Sequence, residues 1–274
     1  MRLGRELRRL REQARMAGDV VAARLEWSAA KVSRIETART FPSLGDVERL
    51  VELYGADDAV RERAVELHRD AGRRRWWEEY RGAVPGAALE LMDREAEARR
   101  ARNWEPHIMP ALLRTYDYER AVMAAIQPVE PIPATAVARR LEALMTRQKH
   151  LLDGSRSFAL AAVVHVTALV RPLGDGRVMR EQLDHLVEVA ELDHVDVRIL
   201  TEDTPHPLVA GPFVHLEFPD FPGVVHLEEI MGARFVEDAE QVHGYERAFD
   251  HLRSIALDEA ASRRLVRDTA ERWR

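Results

Sequence analysis

The chain has 274 residues, 46% of them apolar, a net charge of −6 and no cysteine. That length suits two domains with packed cores, and the lack of cysteine excludes disulfides and thiolate metal sites. No run approaches the roughly twenty apolar residues of a membrane span, and no apolar leader opens the chain, so a cytoplasmic protein without membrane contact is expected.

Charge is unevenly placed. Residues 1–40 hold ten Arg or Lys against five Asp or Glu, while the remaining 234 hold 31 against 42. A basic head on an acidic body is the electrostatic footprint of a nucleic-acid reader.

In chain order, Leu3, Leu7 and Leu10 mark a first helix rich in arginine. Gly18 to Ile35, GDVVAARLEWSAAKVSRI, then carries two short helical patterns joined by a tight turn. Ala22 is small where two helices would cross, and Val21, Leu25, Val32 and Ile35 supply the apolar contacts that set the crossing. Ser28 is a good N-cap for the second helix, whose free amides could also meet a phosphate. With Val32 and Ile35 turned inward, Ala30, Lys31, Ser33, Arg34 and Thr37 face outward. Those side chains suit the major groove: Lys31 or Arg34 toward guanine, Ser33 toward a base edge or phosphate, and Ala30, or Ala29 before it, toward a thymine methyl. Trp27 is expected to seal the turn. Ser43 with Asp46 resembles a capping box opening a helix over Leu44, Val47, Leu50, Val51 and Tyr54, and Asp57 caps another toward Ala71.

The string SAAKVSRIETAR followed by PS resembles the XRE-type, phage-repressor-like helix-turn-helix family over about residues 3–55. The resemblance implies double-stranded DNA as partner and carries over Ser28, Lys31, Ser33 and Arg34; with Ala30 and Arg39 these make up the expected DNA-contacting set. The chain departs from that pattern at three places. Gly18 stands where Gln is common, and Ala38 replaces a frequent glycine. Glu26 occupies the turn position usually given to glycine, where a positive φ would cost about 1 kcal/mol.

Beyond the head, Arg73 to Arg75 and the cluster Trp76, Trp77 and Tyr80 form a hinge region. Helical periodicity runs from Leu89 to about Arg102, from Tyr116 to Ile126 and from Thr135 to Leu152, with prolines between. After Gly154 the pattern changes: strands are expected over Phe158–Val166, Val195–Leu200, Phe213–Phe218, Val224–Ile230 and Ala233–Val236, and helices over Val178–Leu192, from Asp238 to Ile255, and from Asp258 onward. The fold class expected is therefore a mainly α N-terminal helix-turn-helix domain (1–72) and a helical middle (73–153), followed by an α+β C-terminal domain (154–274), with 73–274 as one domain the alternative.

Catalysis finds no support. Ser155 and Ser157 lack a GxSxG frame, and Gly174-Asp175-Gly176 is a turn rather than a phosphate loop. His165, His215 and His226 lie on expected strands beside Glu217 and Glu228, but lone strand histidines are ordinarily surface or core groups, and no metal or other cofactor is expected. The proline-stiffened loop Thr204 to Pro212 sits between two strands, where loops often border pockets. His206 within it, with Trp104 and Tyr116, forms the candidate ligand-contacting set.

The segments RRRWWEEY, EPHIMPALLRTYDYERAV, VMREQLDHLVEVA, GPFVHLEFPD and VVHLE extend the resemblance to a family of actinobacterial regulators with an antitoxin-like C-terminal domain. It implies a non-enzymatic, sequence-specific transcriptional regulator, expected to be a homodimer, whose body senses a small ligand or a small neighbour-encoded protein. The alternative is an antitoxin-like protein that neutralises a small cognate protein and uses DNA binding for autoregulation.

Overall fold

The structure, a computed structural model, describes residues 2–37, 40–73, 76–154, 157–205, 211–229 and 232–273. The chain divides into two compact units, Met1–Glu78 and Glu79–Arg274.

The first unit is built of helices α1 (Arg2–Gln13), α2 (Gly18–Leu25), α3 (Ala29–Glu36), α4 (Leu44–Leu53) and α5 (Asp58–Arg73). The apolar spacing of each helix turns one stripe inward. Leu3, Leu7 and Leu10 of α1 meet Val21, Ala22 and Leu25 of α2, Val32 and Ile35 of α3, and Val47, Leu50 and Val51 of α4 in one core. Gly4 lets α1 approach the end of α3: a Cβ there would lie 2.6 Å from the Ile35 carbonyl oxygen and 2.8 Å from that of Glu36. Arg11 then ties the same two helices, its guanidinium donating to both carboxylate oxygens of Glu36 at 2.7 and 2.9 Å. Phe41 stacks on His68 at 4.7 Å, and His68 Nε2 lies 3.0 Å from the Pro42 carbonyl, linking α5 to the loop before α4.

The second unit holds α6 (Gly86–Glu95), β1 (Arg100–Glu105), α7 (Tyr116–Ile126), α8 (Ala134–Leu152), β2 (Ala159–His165), the short α9 (Thr167–Val170), α10 (Gly176–Val189), β3 (Val195–Leu200), β4 (Phe213–Glu217), β5 (Val224–Glu229), β6 (Gly232–Val236), α11 (Ala239–Ile255) and α12 (Glu259–Ala270). The strands form one sheet in the order β3-β2-β1-β4-β5-β6. β1, β2 and β3 run parallel, and β4, β5 and β6 continue antiparallel. Mainly helical head and middle, then α+β, is the expected class.

One expectation fails in the middle region. The helix read over Leu89 to Arg102 stops at Glu95, and Arg100–Glu105 is a strand pairing with β2 on one side and β4 on the other. RARNWE has no strong strand propensity of its own. Two flanking ladders and burial of Ala101, Asn103, Trp104 and Glu105 decide its conformation, because strand preference is largely a matter of packing context.

Residues alternate across the sheet. Trp104, Val163, Leu200, Phe213, Val225 and Leu227 share one face, where Val242, Phe249 and Leu252 of α11 complete a core. Asn103, Glu105, Val214 and His226 occupy the opposite face. The β1-to-β2 and β2-to-β3 crossovers step in one direction, so the right-handed rule sets α7, α8 and α10 together on that face. The outer edge of β3 is closed by the Leu257 amide, which donates to the Ile199 carbonyl at 3.0 Å, and by Ser262 Oγ, which accepts from the Ile199 amide at 2.9 Å.

Candidate nucleic-acid interface

α2 ends in a left-handed residue. Glu26 has φ 58° and ψ 38°, its amide reaches the Ala22 and Ala23 carbonyls, and the Trp27 amide donates to the Ala22 carbonyl at 2.8 Å. This is a Schellman-type stop, with Glu where glycine is favoured. The left-handed conformation read from the sequence is therefore present. Glu26→Gly is expected to stabilise this unit by about 1 kcal/mol, since relief of the Cβ clash exceeds the added entropy of the unfolded chain. A fall in the urea midpoint would contradict the strain account.

α3 begins at once after the turn. Ser28 Oγ accepts from the Lys31 amide at 3.1 Å, so Ser28 is the N-cap. Val32 and Ile35 are 2% and 1% exposed, whereas Ala30, Ser33, Arg34 and Thr37 are exposed along the other side at helical spacing. The Thr37 hydroxyl donates to the Ser33 carbonyl at 2.7 Å, which tightens the last turn. Arg39 lies outside the described residues.

Lys31 is engaged within the fold. Its Nζ lies 2.9 Å from Asp46 Oδ1 and 3.7 Å from the centre of the Trp27 ring. Asp46 closes the capping box of α4, accepting from the Ser43 amide at 3.1 Å while its own amide donates to Ser43 Oγ at 3.0 Å. Burial opposes the charge on Asp46, but the Lys31 ammonium and the Ser43 donors prevail and hold its carboxyl below the ordinary range. Arg49 joins the clamp, 5.5 Å from the Trp27 ring and donating to the Leu25 carbonyl at 3.0 Å. Trp27 thus sits over the turn under two cations, which fixes the start of α3 against α4. The sequence reading recognised Lys31 by its outward position; it missed Asp46 as the partner, fifteen residues on.

Much of the head's positive charge is spent internally. Arg8 pairs with Glu12, Arg9 with Glu6 and Arg11 with Glu36. Over residues 3–37, Arg15, Arg24 and Arg34 are exposed, and no described carboxylate pairs with them. Of these, Arg34 lies on the outward stripe of α3.

The ligand-side candidates separate. Trp104 is 1% exposed in the apolar core beneath α11, Tyr116 is 48% exposed at the start of α7, and His206 lies outside the described residues. The histidines also diverge: His226 pairs with Val214 and His215 with Val225, which puts the two rings on opposite faces of the sheet. Burial favours neutral His215, whose Nε2 lies 3.5 Å from Glu246 Oε1.

A charged layer that the sequence reading overlooked lies on the face opposite α11. Arg147 donates to both oxygens of Glu95 at 2.7 and 2.6 Å, and Arg94 bonds Glu90 at 2.8 Å and Glu237 at 2.6 Å. Burial and these two guanidiniums push His226 down to about 4. Nearby, buried Arg114 donates to Glu119 at 2.7 Å and to the Met109 carbonyl at 2.7 Å. Desolvation pushes Glu105 up to about 8, Arg114 opposing and Glu228 adding to the rise. The residues that form this layer come from α6, β1, α7, α8 and β5, too far apart in sequence to show as a motif.

Helix-turn-helix geometry at residues 18–36, with a capped second helix and an exposed polar stripe, defines the class: a DNA-binding regulator of the helix-turn-helix type. Residues 2–64 match the family described as a helix-turn-helix domain, and residues 89–268 match the domain of unknown function DUF5753. The latter spans more than half of the chain, and the chain belongs to that family. No curated protein and no solved structure matches the chain. Among the described residues, no helix is long and apolar enough to cross a membrane.

Proposed function

We propose that this chain is a sequence-specific transcriptional regulator of the XRE type. α3 reads the major groove, and the second unit senses a small ligand or partner without turning it over. The observation that carries the reading is the α3 stripe of Ala30, Ser33, Arg34 and Thr37, exposed opposite the buried Val32 and Ile35. In this reading Arg34 donates to a guanine, Ser33 to a base edge or phosphate, and Ala30 packs on a thymine methyl. Lys31 supports them by holding the helix start against α4. A homodimer supplies two such helices to half-sites about 34 Å apart, which offsets the modest number of free cations on each head.

Genome-wide mapping of bound sites, followed by binding to the recovered sequence over a salt series, tests this reading. Arg34→Ala is expected to weaken specific binding about 10- to 100-fold, the loss of one bidentate base contact. Lys31→Ala with Arg34→Ala should abolish it while the second unit stays folded. Lys31→Ala alone should also lower the stability of the head by up to about 1 kcal/mol, since a partly exposed pair contributes little. Sequence-specific binding retained by the double variant would remove α3 from the interface.

A further inference from the structure

α3 carries a cation that it does not present. Lys31 stands three residues before Arg34, so the two side chains are neighbours on the helix surface. Arg34 is exposed and pairs with no described carboxylate. The Lys31 ammonium is instead turned aside to Asp46 Oδ1 at 2.9 Å, and it lies 3.7 Å from the centre of the Trp27 ring. An ammonium between a carboxylate and an indole face is held by opposite charge and by the ring quadrupole together. The Lys31 and Asp46 side chains are nevertheless 32% and 19% exposed, so a polyanion at the surface of the head can reach the pair.

Asp46 is anchored by α4 rather than by Lys31. Its Oδ2 accepts from the Ser43 amide at 3.1 Å, and its own amide donates to Ser43 Oγ at 3.0 Å. That capping box leaves Oδ1 facing Lys31. The carboxylate therefore keeps its place with or without the ammonium, and a phosphate that approaches Lys31 must compete with it.

We infer that Asp46 is a specificity-determining residue: it serves as an internal counterion that keeps Lys31 off the phosphates and out of the groove, leaving base readout to Arg34 and Ser33. The inference rests on the DNA-reading assignment of α3 above and deepens it. Phosphate contacts carry no sequence information. A free ammonium on a flexible stem meets a phosphate on any duplex, whereas base contacts at the operator fix α3 in one register and confine Lys31 to the phosphates of that register. Withholding Lys31 thus weakens binding to unrelated DNA more than binding to the operator.

Titration of the full chain with the duplex recovered by genome-wide mapping, and with a mixed-sequence duplex of equal length, over a salt series tests this. Asp46→Asn keeps an oxygen to accept from the Ser43 amide and removes the charge that holds Lys31. At 0.1 M monovalent salt it should bind the mixed-sequence duplex about five- to tenfold more tightly, with a log–log salt slope steeper by about 0.9, the mark of one further phosphate neutralised. Operator binding should gain less, so the ratio of operator to mixed-sequence affinity falls by about twofold or more. Asp46→Ser, a second neutral acceptor at the cap, should show the same gain, which guards against a local folding fault in either variant. Lys31→Met, whose side chain can still cover Trp27, should cancel the gain when added to Asp46→Asn. An unchanged slope, an undiminished affinity ratio, or a gain that persists in the Met background would overturn the inference. A native chain that binds both duplexes alike would remove the DNA-reading assignment and this inference with it, whereas variants that follow a discriminating native chain remove this inference alone.

Discussion

Gly4→Ala is expected to destabilise the DNA-binding head by about 2 kcal/mol, although helix propensity alone favours alanine by up to about 1 kcal/mol. The sign follows from what the new methyl meets. It would lie 2.6 and 2.8 Å from two backbone carbonyl oxygens at the end of α3, and backbone cannot swing aside as a long side chain can. α1 and α3 would have to separate, which strains the Arg11–Glu36 bidentate pair that joins them. Because α3 is the reading helix, operator affinity should fall with stability. Hydrogen exchange resolved to peptides within residues 2–37 would report loss of protection there while the sheet of the second unit keeps its own. Equal or greater protection in the variant would show that the two helices can part at no cost.

The second large effect is a pH dependence of the other unit. Glu105 is protonated in the fold up to about pH 8, whereas an ordinary glutamate loses its proton near 4.5. Between those values the native state holds a proton that the unfolded chain has released. Stability is therefore greatest, with respect to this group, below about 4.5, and is lost as pH rises through about 8. The whole window corresponds to about 5 kcal/mol. His226 works in the opposite sense at lower pH: it stays neutral in the fold down to about 4, so stability is lost as pH falls from 6.5 toward 4. The range from 6.5 to 8 isolates Glu105 from His226, and about 2 kcal/mol should disappear across it. Urea denaturation at pH 6.5 and 8, comparing the native chain with Glu105→Gln, provides the measurement. The variant should show a flatter profile over that range; parallel profiles would mean that Glu105 titrates normally.

Much of the head is legible in the amino-acid sequence. The spacing of Ala22, Val32 and Ile35, the Ser28 cap, the Ser43–Asp46 box and the strained Glu26 are all local features, each confined to one helix end or to two consecutive helices. The strands from Val195 onward were legible for a similar reason: VDVRIL and FVHLE alternate, and turn residues bound them. Arg100–Glu105 was not, since RARNWE becomes a strand only through its neighbours on both sides.

Local chemistry along the chain thus specified the helix-turn-helix, its caps and the composition of its outward stripe, because period, capping and turn preference act between residues a few positions apart. Three features depended on folding. Lys31 meets Asp46 and Trp27, Gly4 meets the end of α3, and Glu105 is buried at the end of β1 among charges drawn from α6, α7, α8 and β5. Burial and long-range pairing set the electrostatics at those places, and neither is a property of any short segment.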